Sequence, residues 1–209
     1  MNKFPRSAYV HIPFCHRRCF YCDFAVIPLG NKVETLQGYG SKTVKEYLHF
    51  LYKEILSIKH KSSLSTIYVG GGTPSILDPQ QIKQLIDLFK ENYGVDYGAE
   101  ITMEVDPASF NLDDLHGFIN AGINRFSLGV QSFNNQILQK SGRRHLREDA
   151  EKSCLWLKKV YSAGLIKSWS LDLIQNLPLS GLREWNEDLK KAITSVSYTH
   201  LTLPTTNSV

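Results

Sequence analysis

Long apolar runs are missing from this sequence, and no stretch approaches the length that a membrane-spanning helix requires. The N-terminal segment MNKFPRSAYV also lacks the apolar core of a secretory signal. Charge of one sign is equally scarce, because 24 Lys and Arg accompany 20 Asp and Glu, which leaves a net charge of +4. So mild an excess does not predict nucleic-acid binding. These absences predict a globular, cytoplasmic protein with no nucleic acid among its partners.

Cysteine is too sparse for a disulfide framework, since the 209 residues contain only four. Three of them form the pattern Cys-x3-Cys-x2-Cys at Cys15, Cys19 and Cys22. Three thiolates on one short loop can bind a metal centre and leave a coordination position open. A structural zinc site is the alternative, although zinc ligands usually come as two separated pairs. The candidates for its fourth ligand are His11, His16 and Cys154.

Strand-like and helix-like segments alternate about five times along the chain, which predicts an α/β fold with parallel strands. The predicted strands are Ser7 to Ile12, Ser65 to Val69, Glu100 to Val105, Arg125 to Val130 and Ser168 to Ile174. The predicted helices are Lys42 to Lys59, a helix from Pro79 with Asp78 as its N-cap, Asn111 to Asn120, Glu148 to Ser162 and Gly181 to Ile193. The pattern fits a complete or incomplete barrel, and an open doubly wound sheet remains the alternative.

Polar residues follow the predicted strands at their carboxyl ends. The cysteines follow the first strand, Gly70 to Pro74 the second and Asp106 the third, while Gln131 and Ser132 follow the fourth. Glu104 and Asp172 lie within apolar strands, where burying a carboxylate costs several kcal/mol unless it is paired. Because the carboxyl ends of parallel strands meet at one edge, these residues are predicted to form one site.

The segments YVHIPFC, YCDF, GGGTPS, EVDP, RFSLGVQSF, GRRH and DLIQNLP occur in this order between Ser7 and Ile193. The cysteine pattern, with Tyr21 before the last cysteine, resembles that of the radical S-adenosylmethionine (radical SAM) enzymes. The whole series resembles the oxygen-independent coproporphyrinogen III oxidase family. The resemblance implies an α/β fold, an incomplete parallel (βα)6-type, TIM-like barrel.

The resemblance also implies the cofactors and their contacts. A [4Fe-4S] cluster would be held by Cys15, Cys19 and Cys22, and S-adenosylmethionine would bind beside it. The implied contacts to S-adenosylmethionine are Tyr9, Tyr21, Gly71, Gly72, Thr73, Glu104, Gln131, Arg143 and Asp172. Taken by itself, the GRRH segment around Arg143 would instead indicate a solvated, basic surface.

One position separates two branches of the family. The oxidases carry a further cysteine two residues after the third cluster ligand, where this chain has Phe24. That difference favours the heme chaperone branch, which implies heme or porphyrin, an electron donor and a heme-receiving respiratory protein as partners, with a homodimer as a further expectation. A genuine oxidase and a non-enzymatic heme carrier with a structural cluster are the alternatives. No one histidine among the seven, which include His11, His16 and His145, is singled out as the heme ligand.

Two departures from the family pattern concern the C-terminal part. The family's Gly-Leu-Pro-x-Gln is replaced by Asn176 to Ser180, so the contacts of that glycine and glutamine do not transfer. Residues 1–195 are predicted to form a truncated radical SAM core domain. Residues 196–209 lack charge, do not follow the family pattern, and are predicted to be an artefactual tail.

Overall fold

A computed structural model describes residues 5–30, 42–58 and 62–195 of the chain. Strands and helices alternate along it, as predicted. The elements are β1 (Ser7–Ile12), β2 (Phe14–Cys15), β3 (Ile27–Pro28), α1 (Lys42–Ser57), β4 (Leu64–Gly71), α2 (Pro79–Asn92), β5 (Val95–Val105), α3 (Leu112–Ala121), β6 (Arg125–Gln131), α4 (Asn135–Lys140), α5 (Arg147–Ser162), β7 (Ser168–Leu173) and α6 (Leu182–Ser195). A single 3-10 turn, Pro74–Ile76, follows β4. No helix in these residues is long and apolar enough to cross a membrane.

The five long strands form one sheet in the order β1-β4-β5-β6-β7, and every pairing in it is parallel. Each strand therefore pairs with the next long strand along the chain, and a helical crossover joins most of them. The α/β prediction with a parallel sheet is confirmed. Within the described residues the sheet stays open rather than closing into a barrel. The predicted tail, residues 196–209, lies outside the described residues.

The two faces of the sheet differ in polarity. The register aligns an apolar row across all five strands, and each of its members is at most 5% exposed: Val10, Val69, Met103, Phe126 and Trp169. Because side chains alternate along a strand, the neighbouring positions point to the other face. Glu104 and Ser127 are paired there, and Asp172 lies opposite Gly129. A parallel sheet usually buries apolar side chains on both faces, so this polar face indicates a site.

Local sequence signals explain where the helices begin and end. Asp78 caps α2 by accepting a hydrogen bond from the Gln80 amide, and Pro79 occupies the first turn, as predicted. Asn111 caps α3 in the same way, and Gly122 ends that helix at φ 109°, a conformation that glycine adopts without strain. The sequence prediction missed α4 and the β2–β3 pair, because two-residue strands and a six-residue helix show almost no periodicity.

Candidate functional site

A cavity with a volume of about 260 Å³ lies at the carboxyl ends of the strands. Its wall contains all three clustered cysteines and every predicted S-adenosylmethionine contact except Tyr9. These residues are Cys15, Cys19, Cys22, Tyr21, Gly71, Gly72, Thr73, Glu104, Gln131, Arg143 and Asp172. The structure therefore brings together side chains from four strand ends and two loops, as the strand-end argument predicted.

The cysteine loop, residues 15–22, is closed at its base by the short β2–β3 pair. Phe14 is in register with Ile27 and Cys15 with Pro28. Leu29 donates its amide to the Cys15 carbonyl at 2.8 Å, which holds the first cysteine next to the returning chain. At its far side the loop is attached to the segment before α5, because the Phe20 amide donates to the Ser141 carbonyl at 3.1 Å.

The three thiols are free and half-buried. Burial raises the pKa of Cys15 to about 11, although a hydrogen bond from Thr73 Oγ1 to its Sγ, at 3.4 Å, works in the opposite direction. Metal binding would therefore displace a proton from this thiol. In the described part of the chain no three His, Cys, Asp or Glu side chains converge on a point where one ion could sit. In a cluster, by contrast, each thiolate would bind a different iron.

The glycines after β4 allow two parts of the site to approach closely. A Cβ on Gly72 would lie 2.6 Å from the Phe14 carbonyl oxygen and 3.0 Å from Cys15 Sγ. Gly71 has φ 117°, and its amide donates to Glu104 Oε2 at 3.0 Å. A side chain at Gly72 would separate β4 from the cysteine loop, and one at Gly71 would collide with His11 and Ile12 of β1.

Glu104 on β5 and Asp172 on β7 line the side of the cavity that the sheet forms, which we call its floor. Glu104 accepts hydrogen bonds from Tyr68 OH at 2.7 Å and from the Gly71 amide. Asp172 faces the cavity and accepts from Ser127 Oγ at 3.2 and 3.1 Å. Withdrawal from bulk water raises the pKa of both carboxyl groups, and the Asp172 charge adds to the effect on Glu104. A cationic ligand group would relieve this cost.

Gln131 is held in a conformation that favours glycine. Its φ is 67°, and the register between β6 and β7 shifts between Gly129 and Gln131. Its side-chain Oε1 is buried and has no hydrogen-bond partner within the described residues. Strain together with an unsatisfied acceptor is a feature of ligand sites, where a bound group completes the hydrogen bonding.

Arg143 connects the strand ends to the cysteine loop. Its guanidinium forms an ion pair with Asp106 and donates to the Gly129 carbonyl at 2.7 Å. Its Nη1 lies 3.7 Å from Cys19 Sγ and 3.5 Å from Tyr21 OH. Burial by itself would lower the pKa of Arg143, but Asp106 outweighs it and raises that pKa, so the guanidinium stays charged. The GRRH segment is thus not uniformly solvated.

His145 lies next to the ion pair between Arg143 and Asp106 and hydrogen-bonds Arg143. Its Nε2 donates to the Val130 carbonyl at 3.0 Å, so its Nδ1 is the acceptor for Arg143 Nε at 3.3 Å. Burial lowers the pKa of His145 to about 4, which keeps the ring neutral. The ring is 1% exposed, and it is not placed to ligate the iron of an external heme.

The structure places Tyr9 beside the cavity rather than in its wall. Tyr9 stacks on Tyr68 at 6.0 Å between ring centroids and hydrogen-bonds His11 Nδ1 at 3.0 Å. Its contact with S-adenosylmethionine stays a prediction. Asp106 is predicted from the sequence only as a strand-end polar group, and Ser127 is not predicted as a site residue, because their partners Arg143 and Asp172 are distant in sequence.

The fold and this cavity together define a class of protein. Its members have a parallel α/β fold, and thiols after the first strand line a polar cavity of small-molecule size. The sequence model of the radical SAM superfamily matches residues 9–170, and the chain belongs to that superfamily. Membership implies a [4Fe-4S] cluster and S-adenosylmethionine.

Individual proteins of known name are similar to this chain over most of its length. The chain is 40% identical over 190 residues to "Heme chaperone HemW" of Synechocystis sp., covering 90% of this chain and 44% of the relative. It is 37% identical over 180 residues to "Oxygen-independent coproporphyrinogen III oxidase" of Salmonella typhimurium, covering 83% and 36%. The solved structure of the coproporphyrinogen III oxidase HemN from Escherichia coli, a radical SAM enzyme, superposes with a TM-score of 0.77 at 32% identity and covers 92% and 42%. The chain spans about half the length of the curated heme chaperones it matches.

Proposed function

We propose that this chain holds a [4Fe-4S] cluster on Cys15, Cys19 and Cys22 and binds S-adenosylmethionine in the adjoining cavity. We further propose that it serves heme binding and delivery, in the manner of the heme chaperones to which it is similar. The observation that carries the first part is the shared cavity: three free thiols face it together with two carboxylates.

The residues present fit both groups. The three thiols are free and line one cavity, and Glu104 and Asp172 offer negative charge to the ammonium and sulfonium groups of S-adenosylmethionine and acceptors to its ribose hydroxyls. The unpaired Oε1 of Gln131 accepts from a ligand donor, and the glycines keep the backbone of β4 open to approach. When bound, the cluster supplies the electron that cleaves the sulfonium bond.

Arg143 and Tyr21 lie on the cysteine side of the cavity. The guanidinium remains charged because Asp106 pairs with it, and Nη1 is directed towards Cys19 and Tyr21. A carboxylate bound on that side gains a charge-assisted contact with Arg143. Thr73 stays hydrogen-bonded to Cys15 and orients that thiolate.

Phe24 supports the chaperone assignment over the oxidase. It lines the cavity at the position where the oxidase pattern has an additional cysteine, so this chain offers an apolar ring there instead of a thiol. The alternative, decarboxylation of coproporphyrinogen, is supported by the likeness to the oxidases. An electron donor, a heme-receiving respiratory protein, a homodimer and a cytoplasmic location belong to the same proposal.

Anaerobic reconstitution with iron and sulfide, followed by reduction and measurement of 5′-deoxyadenosine, tests the first part. We expect a brown protein with about four irons per chain that releases 5′-deoxyadenosine. A colourless protein that binds one zinc instead would overturn the cluster assignment. Cluster formation without cleavage would leave the non-enzymatic carrier.

Incubation of the reduced protein with coproporphyrinogen separates the two enzymatic branches. The chaperone assignment predicts no protoporphyrinogen, together with saturable heme binding. Formation of protoporphyrinogen would establish the oxidase instead.

A further inference from the structure

The cavity has two zones of opposite charge. Its floor carries Glu104 and Asp172, which accept hydrogen bonds from hydroxyl and amide groups. Its mouth carries three exposed arginines, Arg17, Arg18 and Arg144. A ligand with cationic groups would bind at the acidic floor. The arginines at the mouth suit a second ligand, which is anionic.

The protein orients two of these arginines through its own backbone. Arg17 Nη2 donates to the Arg143 carbonyl, and Arg18 Nε donates to the Cys22 carbonyl at 3.0 Å. Anchoring at one nitrogen lowers the conformational entropy that a flexible arginine loses on binding. The guanidinium fork is the group best matched to a carboxylate.

Two phenylalanines lie on the same loop as these arginines and are also exposed. Phe24 is 61% exposed and lines the cavity, and Phe20 is 80% exposed. Phe20 has a fixed place, because its amide donates to the Ser141 carbonyl and its backbone lies against Gly142, where a Cβ would come within 3.3 Å of Phe20 N. Single exposed apolar side chains are common, but two exposed rings near three arginines, one of them held against Gly142, form a defined surface.

Size then decides where a second ligand lies. S-adenosylmethionine and the cluster would fill this cavity, whose volume of about 260 Å³ is already below the roughly 300–1,000 Å³ typical of pockets for drug-sized ligands, so no room would remain inside it for a second ligand. A large planar molecule therefore lies across the mouth, with its faces on the phenylalanine rings and its acid groups on the arginines.

We propose that this basic–aromatic rim, formed by Arg17, Arg18, Phe20, Phe24 and Arg144, binds the dicarboxylate edge and the face of a tetrapyrrole. The proposal rests on the proposed role in heme binding and adds where the macrocycle lies and which of its groups are recognised. It makes binding depend on the two propionates and not on iron.

Metal-free protoporphyrin IX and its dimethyl ester test this dependence directly. Fluorescence anisotropy is measured with the cluster-loaded chain, S-adenosylmethionine present and a low concentration of non-ionic detergent. We expect the diacid to bind about tenfold more tightly than the ester, because the ester offers no charge to the arginines. Equal affinities would overturn the proposal.

A charge-reversal pair locates the site. The double variant Arg18→Glu with Arg144→Glu is expected to weaken diacid binding about tenfold or more and to leave ester binding nearly unchanged. The matched control, Lys42→Glu with Arg183→Glu, makes the same charge change at side chains that are 89% and 82% exposed elsewhere on the surface. Iron content is measured for each protein to confirm that the loop still holds its cluster.

The outcomes distinguish the rim from the function on which it rests. If heme and the diacid bind but the rim variant matches the control, the rim assignment is wrong and heme binding stands. If no porphyrin binds while 5′-deoxyadenosine is still released, the rim and the heme role both fall, and the radical SAM assignment remains.

Discussion

The strand-end side of the cavity and the cysteine loop are held in place by different kinds of contact. On the strand-end side, Glu104, Ser127 and Asp172 are fixed by the register of paired strands and by short hydrogen bonds to neighbouring elements. The cysteine loop is held by a two-residue strand pair, by the hydrogen bond from Thr73 to Cys15 and by contacts with the segment before α5. The difference teaches that the carboxylates of the cavity are positioned by the sheet, whereas the proposed cluster ligands depend on separate contacts of one loop.

Arg143 is the main link between the two regions, since it contacts Asp106 and Gly129 on one side and Cys19 and Tyr21 on the other. Substitutions within one region should therefore affect one property, and substitutions at the link should affect both.

Loss of a cluster ligand gives the largest expected effect. Cys19→Ala should abolish cluster formation, because only two thiolates would remain, while the cluster-free protein unfolds at nearly the same urea concentration as the wild type. Iron content and the visible absorption spectrum measure the first, and urea denaturation the second. Cys154→Ala is the control: this cysteine is buried in α5, 4% exposed, and its loss should reduce stability but not iron content. Full iron content in Cys19→Ala would contradict the separation.

The Asp106→Asn substitution tests the link itself. It leaves the buried Arg143 without its charge partner, and the pair is only 11% and 21% exposed, so we expect a loss of about 3–5 kcal/mol of unfolding free energy. Asp96→Asn provides the control, because its ion pair with Arg6 is 30% and 59% exposed and should contribute far less to stability. Equal losses in urea denaturation would mean that Arg143 is not held by charge.

The pH dependence of stability isolates His145. Its pKa is about 4 in the folded protein, and an unfolded histidine titrates near 6.5. The unfolded state therefore binds the proton first, so stability falls as the pH decreases from about 6.5 to 4, by on the order of 3 kcal/mol. His145→Gln should lack this decrease in urea denaturation of the cluster-free protein.

The test is the difference in pH-dependent stability between the wild type and His145→Gln, because other groups also contribute to each curve. The raised pKa values of Glu104 and Asp172 act with the opposite sign, because their folded forms hold protons more tightly than their unfolded forms do. Parallel curves for wild type and His145→Gln would show that folding does not lower the pKa of His145.

The smallest effect on the free energy of unfolding is expected at Asp188. This residue of α6 hydrogen-bonds the turn after β6. Its carboxylate accepts hydrogen bonds from Ser132 Oγ and from the Phe133 amide, both at 2.7 Å, next to Gln131. Asp188→Asn should cost about 1.5 kcal/mol and weaken S-adenosylmethionine binding without loss of iron. A double-mutant cycle with Ser132→Ala measures the coupling, and a zero coupling energy would exclude this contact as the cause.

Repeating patterns made much of the fold predictable from the sequence. β1 was predicted within its observed bounds, and Asp78 and Asn111 were identified as caps, because these signals lie within a few residues of the element they define. The convergence of polar strand ends followed from parallel topology alone.

Contacts between distant residues were not predictable in this way. The burial of Arg143 depends on Asp106, 37 residues earlier, and GRRH by itself indicated a solvated surface. Asn176 stands where the family pattern has glycine, and the backbone conformation at this position could not be predicted from the sequence. Asn176 has φ 62°, a left-handed conformation that asparagine tolerates better than most residues.

The position of Arg143 in the chain has a consequence for biosynthesis. The sheet grows by pairing each long strand with the one made just before it, so it can assemble in step with synthesis. Cys19, by contrast, meets Arg143 across 124 residues of sequence. The proposed cluster ligand Cys19 can therefore reach its final surroundings only after the following 124 residues have been translated.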